Sequence, residues 1–357
     1  MIARPSKRTA LIGGGVVAVL AIGAVSAFTL TGNDSKAPVV AAPATSSVVA
    51  TSSPAPTPKP KPKPKPPAAV NYLTGVGAPS SSPVVAVKID DTESGRPSVG
   101  LEQADIVYIE QAEGGLTRLL AVFGTHKPTV EPVRSTRASD PELLSQYGKI
   151  TLVASGGGGQ SLPTLDRSVV HGVINDRGGP GFSRDGSRPA PYNLASNLAQ
   201  VAAAAKTAPA KNVGFTWGLV DPRLLRAPSG IAVNTVVGGT PVTFQWVPAS
   251  KRYVRTINGS PLLLANGTPA STTNVLVQFC TVETDPSDVD VAGNPSQFTH
   301  SVGSGRVVLF RNGKRLEGKW SRPTEASPTT FTDAAGKPLL FAPGGAYVVL
   351  ATNGAPV

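Results

Sequence analysis

The first 70 residues decide how much of this chain is free to fold. Arg4, Lys7 and Arg8 precede an uncharged stretch from Thr9 to Gly32, TALIGGGVVAVLAIGAVSAFTLTG, whose apolar core Ala10 to Leu30 holds 21 residues. A helix of that length crosses a bilayer core of about 30 Å, and the basic flank places its start in the cytoplasm. The run exceeds the roughly 7–15 apolar residues of a cleaved signal core, so residues 1–30 read as an uncleaved membrane anchor. Val25-Ser26-Ala27 also fits a signal-peptidase site, and cleavage after Ala27 would give a secreted protein. From Thr31 to about Ala69 the chain is Ala, Ser, Thr, Val and Pro, ending TPKPKPKPKPP. Such a segment cannot bury enough apolar surface to offset its ordering entropy, so residues 31–70 read as a disordered linker. Alternating Lys and Pro favours an extended polyproline helix of roughly 3.1 Å per residue, a reach of up to about 120 Å. The linker lysines read as a solvated stalk or as a contact for anionic wall polymers.

Charge follows the same division. Residues 1–70 carry eight basic residues against Asp34 alone, which accounts for +7 of the net +11; the remainder has 25 basic and 21 acidic residues. The basic excess therefore belongs to leader and linker. With no basic helix and no aromatic-interleaved patch, nucleic acid is not an expected partner. Cys280 stands alone in the apolar run NVLVQFCTV and reads as a buried small hydrophobe. A single thiol excludes an internal disulfide framework.

Folding begins near Asn71. VVAVKID (84–90) reads as a buried strand ending in Asp90 and Asp91, and DIVYIEQA (105–112) with LTRLLAVF (116–123) reads as a hairpin around a two-residue Gly114-Gly115 turn. That turn sets Gln111 opposite Arg118 and makes Glu113 a diagonal neighbour of Arg118. DPELLSQYG (140–148) reads as a helix with Asp140 at the N-cap, Pro141 in its first turn and Gly148 as its stop. KITLVAS (149–155) is a further strand, and LASNLAQVAAAAKTA (194–208) a helix stopped by Pro209. Composition shifts at DPRLLRAPSG (221–230), after which short apolar runs separated by Gly, Pro and Asn replace helical periodicity. The Asn-Gly of RNGK (311–314) supplies the positive φ angles of a type I′ hairpin turn. The expected class is α+β: an N-terminal α/β-type domain at 71–220 and a mainly antiparallel β domain at 231–357.

Four segments carry a resemblance: GRPSVGLEQADIVYIEQAEGGLTRLLAVF (95–123), EPVRSTR (131–137), FSRDGSRPAPYNL (182–194) and GSGRVVLFRNGKRLEGKWSR (303–322). Together they resemble the YerB-like family of bacterial envelope lipoproteins, a domain of unknown function, across about 71–357. The resemblance implies an extracytoplasmic, membrane-tethered, two-part protein and supplies no catalytic residues. Two departures stand out: the long apolar segment replaces the lipid-bearing cysteine, and Tyr192 stands where relatives often have His.

The same segments are rich in arginine: Arg96, Arg118, Arg134, Arg137, Arg184 and Arg188, with Asn193 beside them and Asp90, Asp91, Asp105, Glu110 and Glu113 between them. Guanidinium forks suit carboxylate and phosphate, which fill bacterial envelopes, so these residues are the candidate ligand site for an anionic wall component or a protein of wall synthesis. Two other readings stay open. The arginines are neutralised internally and the protein is a regulatory scaffold; or Asp90 with Glu110 or Glu113 acts as an acid and base pair on envelope glycan. No cofactor or metal is expected. His126, His171 and His300 lie far apart, Asp285, Asp288 and Asp290 lack the glycine and glutamate of a calcium loop, and GGGGQS (156–161) lacks the Gly-Lys-Ser/Thr ending of a phosphate loop.

Overall fold

The computed structural model describes residues 69–290 and 293–357. The expected membrane anchor, and all but the last two residues of the expected linker, lie outside the described residues. Strand β1 (Val85–Asp90), strand β2 (Ile106–Gln111) and strand β3 (Thr117–Phe123) form the centre of a ten-stranded sheet. Beyond β1 lie Thr151–Ala154 and His171–Ile174, both parallel to it in direction. Beyond β2 come Ala346–Thr352, Asn274–Cys280, Gly303–Arg311, Lys314–Arg322 and Thr330–Thr332.

The sheet therefore joins both halves of the sequence. Ala346–Thr352, near the end of the chain, runs parallel to β2 on one side and to Asn274–Cys280 on the other. The second half is thus not purely antiparallel. Asn274 fixes the entry to that last strand: its amide donates to the carbonyls of Ala342 and Gly345 at 2.7 Å, and its Oδ1 accepts the Ala342 N–H at 2.7 Å. Among the described residues the structure is β-rich, with three short α-helices: α1 (Ser139–Ser145), α2 (Ser161–Arg167) and α3 (Leu198–Ala204).

Both faces of the large sheet are covered, which is why β1 and β3 are buried along their whole length. Val85, Val87, Ile89, Val107, Ile109, Leu119 and Ala121 face a second sheet of five strands built on Ala232–Val237, Thr240–Val247 and Arg252–Ile257, and also α3. Ala86, Ile106, Tyr108, Leu120 and Val122 face α1, α2 and the Phe215, Phe331 and Phe341 cluster. Each buried Val or Leu contributes roughly 1.5–3 kcal/mol relative to exposure. A charge at Val87 would face that apolar layer with no partner.

Three local expectations are corrected. The β2–β3 loop holds three residues, not two: Ala112 N–H donates to the Leu116 carbonyl at 2.8 Å, and Gly114 and Gly115 both have positive φ, 65° and 73°. The register moves by one, so Glu110 faces Arg118 and Gln111 faces Thr117; a one-residue slip exchanges the faces of every side chain. The expected helix at 194–208 starts late, because Leu194–Asn197 pairs as a strand with Phe182–Arg184 and with Thr129–Val130. Asn197 then caps α3, its Oδ1 accepting from Ala199 and Gln200 N–H at 3.1 Å. In α1, Ala138 takes the N-cap position and Asp140 lies inside the first turn. The Asn-Gly turn is as expected: Asn312 and Gly313 have φ of 52° and 69°, with Arg311 opposite Lys314. Cys280 is buried, and burial pushes its thiol up to about 12.

Candidate functional site

Strand β1 ends near two consecutive carboxylates, and strand alternation sends them to opposite faces of the sheet. Asp91 turns toward the five-stranded sheet. Its two oxygens accept from the Arg255 guanidinium at 2.8 and 2.7 Å, and Oδ2 accepts the Thr117 hydroxyl at 2.6 Å. Arg96 adds a bond to the Asp91 carbonyl at 2.5 Å and a longer contact to Oδ1 at 3.5 Å. Burial pushes the Asp91 carboxyl up, but Arg255, then Arg96 and Thr117, outweigh it and hold the group below the ordinary aspartate range.

Asp90 turns to the α1 face. Oδ1 accepts the Thr92 N–H at 2.6 Å. Oδ2 lies 3.2 Å from Arg134 Nε and 3.7 Å from Arg118 Nη2, and neither approach has hydrogen-bond geometry. The loop before Pro97 packs its backbone on this carboxylate: a Cβ at Gly95 would stand 2.5 Å from Asp90 Oδ1.

Arg134 and Arg137 lie in the segment that leads into α1, and the acid that ends it does not neutralise their guanidinium groups. Asp140 Oδ2 accepts the Arg137 backbone N–H at 2.8 Å and the Thr136 hydroxyl at 2.7 Å, while Oδ1 accepts from Lys88 Nζ at 2.7 Å. Lys88 is wholly buried and also contacts Glu110. Burial pulls its ammonium down to about 8, against the opposing charge of Asp140. Asp140 is thus an anchor for the loop carrying Arg137. Arg137 itself donates to the carbonyls of Ser135 and Thr136 and pairs with Glu113.

Arg118, Arg134 and Arg137 line one cleft of about 290 Å³, closed on its far side by Val289, Asp290 and Ser296 of the hairpin Val282–Val289 and Pro295–Thr299. Glu113 and Asp290 line it as well, and Asp90 lies behind the arginines. Arg118 Nε, Arg134 Nη1 and Arg137 Nε are buried with no hydrogen-bond acceptor among the described residues. Unpartnered Nε atoms occur elsewhere, at Arg96, Arg255 and Arg311; here three unpartnered guanidinium nitrogens belong to side chains that line one opening. Burial pulls Arg118 below the ordinary arginine range against the opposing charge of Asp90, and Arg134 and Arg137 push the same way as burial.

The remaining candidates are placed differently. Arg184 donates to Asn193 Oδ1 at 2.8 Å and borders a pocket of about 220 Å³ that shares Arg134 and Ser135 with the cleft. Arg134 also lies over the Tyr192 ring, 5.3 Å from its centroid. Arg188 clamps two loops through Glu131 at 3.3 Å and the Gly95 carbonyl at 2.9 Å. Arg96 belongs with Asp91. Of the three carboxylates considered for glycan chemistry, Glu110 lies under Lys88, Glu113 on Arg137 and Asp90 beside Arg134 and Arg118. Sequence reasoning missed Lys88, whose signal was a lysine inside an apolar strand, and missed Ser135, Ser161, Ser296 and the 282–299 hairpin, which reach the cleft only through tertiary packing.

The description "Protein of unknown function (DUF3048) N-terminal domain" matches residues 73–212, and the corresponding C-terminal domain matches residues 231–348. YerB of Bacillus subtilis (strain 168), provisionally named a lipoprotein, is 27% identical over 274 residues, 74% of this chain and 80% of that protein. The crystal structure of Bacillus subtilis YerB aligns with a TM-score of 0.66 at 22% identity, covering 79% of this chain and 96% of that chain. With both domain descriptions matched in order and the fold shared, the chain belongs to the DUF3048, or YerB-like, family of proteins of unknown function.

Proposed function

We propose that the chain is a membrane-tethered, extracytoplasmic protein of the bacterial envelope whose Arg118, Arg134 and Arg137 cleft binds an anionic envelope component through a phosphate or carboxylate group. The location rests on the basic-flanked apolar run at residues 1–30 and on the lipoprotein name carried by a relative. The observation that carries the binding reading is that the side chains lining one opening hold three buried, unpartnered guanidinium nitrogens against a single unpartnered carboxylate oxygen beside them, Asp90 Oδ2. An oxyanion presents several lone pairs and is matched by arginine forks. Charge alone would not recommend the cleft, since Glu113, Asp290 and Asp90 offset its three arginines; selection therefore comes from short-range hydrogen bonds rather than long-range attraction.

Calorimetric titration of the full-length chain in detergent with inorganic phosphate and with citrate tests this. The reading expects saturable binding of at least one of them, lost in the double variant Arg134→Ala plus Arg137→Ala with the far-UV spectrum unchanged. Equal behaviour of wild type and double variant would instead leave the arginines as internal braces of a scaffold.

A further inference from the structure

The arginine cleft does not end at Arg137. A second pocket of about 550 Å³ shares Arg137, Ser161 and Ser296 with it, lying between α2 and the hairpin Val282–Val289 and Pro295–Thr299. Its volume is in the range of roughly 300–1,000 Å³ that takes small organic ligands. Building on the anion reading above, we infer that the ligand is an anionic saccharide, with its acidic group in the arginine cleft and its sugar body in this second pocket.

The chemistry of the lining selects that class. Hydroxyl groups come from Ser161, Thr164 and Ser296, and an aromatic ring from Phe298, while the Gln297 amide is engaged internally, accepting from Gln111 and Thr284 and donating to the Pro295 carbonyl. Hydroxyls both donate and accept, which suits the many hydroxyls of a sugar. An aromatic ring offers its face to the C–H side of a pyranose. An acyl chain would leave the hydroxyls of Ser161, Thr164 and Ser296 short of partners, at a cost for each. A second anion is disfavoured too, because Arg137 and Arg167 are offset by Glu283 and Asp285 in the same lining. The pocket therefore takes a neutral polar body joined to the anion that the inner cleft holds.

Phe298 packs on His300, with ring centroids 4.7 Å apart, and His300 lies 3.2 Å from Glu283. Gln297 is tied back to Gln111 of β2 at 3.2 Å. The hairpin side of the pocket is thus fixed to the sheet that carries Arg118, and the spacing between the two subsites is set before any ligand arrives, which lowers the ordering cost of binding.

Titration of the full-length chain in detergent with inorganic phosphate, glucose 1-phosphate, glucuronic acid and glucose separates the contributions. Glucose 1-phosphate should bind at least about tenfold more tightly than inorganic phosphate, with glucuronic acid showing whether a carboxylate serves equally, and glucose alone binding far more weakly than either. Phe298→Ala should bring glucose 1-phosphate down to the affinity of phosphate while leaving phosphate binding unchanged, which also reports an intact fold. Thr164→Val, on the α2 side, should lower the same preference. Equal affinity for phosphate and the two sugar anions would overturn the saccharide inference and leave the anion reading standing. Absence of binding by phosphate, glucose 1-phosphate and glucuronic acid alike would overturn the saccharide inference, and with citrate also unbound it would overturn the anion reading as well.

Discussion

Asp90 and Asp91 are neighbours in sequence and opposites in environment. Asp91 faces the second sheet and is satisfied on every side, with two bonds to Arg255 below 3 Å and a third to Thr117. Asp90 lies buried behind the cleft, and its two arginines, which line the opening, stand off at 3.2 and 3.7 Å with donors left over. The comparison separates two uses of the same residue types. A bidentate pair closed between two sheets fixes how they dock; a loose cluster at an opening leaves guanidinium groups available to a third party.

Breaking the closed pair has the largest expected effect. Arg255→Met leaves Asp91 buried without its main partner and should cost about 3–5 kcal/mol, read as a lower urea midpoint. Acid should distinguish the two proteins as well. The folded-state carboxyl of Asp91 lies below its unfolded value of about 3.8, so its contribution is fully present above that pH and is lost as the pH falls through the folded value. In Arg255→Met the depression is gone, and acid titration of stability should lose that component.

Asp90→Asn sharpens the other side. The amide oxygen retains the Thr92 bond but the NH2 then faces Arg134 and Arg118, so stability should fall by about 1–3 kcal/mol, while removing the counter-charge from Arg134 and Arg118 should tighten phosphate binding several-fold. An unchanged affinity would mean that Asp90 does not compete for those guanidinium groups. The smallest effect belongs to an exposed pair away from both sites: Arg177 meets Asp166 at 2.6 Å with each side chain about half exposed, and Arg177→Ala should leave the melting temperature unchanged, as exposed pairs usually do.

How much of this was legible in the sequence depended on range. Turn chemistry was readable where one conformation is strongly preferred, as at Asn312-Gly313. It misled at Gly114-Gly115, because two glycines permit several loop lengths and the hydrophobic pattern of strands buried on both faces cannot set the register. The arginines were visible as a group, but their sorting was not. Arg255, the true partner of Asp91, is 164 positions away. The Lys88 and Asp140 pair spans 52 positions, and the hairpin that walls the cleft belongs to the other half of the chain. Sheet order was equally hidden, since Ala346–Thr352 joins β2 only through a pairing that no local signal announces.

The most direct measurement follows the arginine side-chain Nε–H resonances of the full-length chain in detergent while inorganic phosphate is added. The account predicts that Arg118, Arg134 and Arg137 shift together along one saturable curve while Arg255 stays in place. Static resonances at all three, or a matching shift at Arg255, would contradict it.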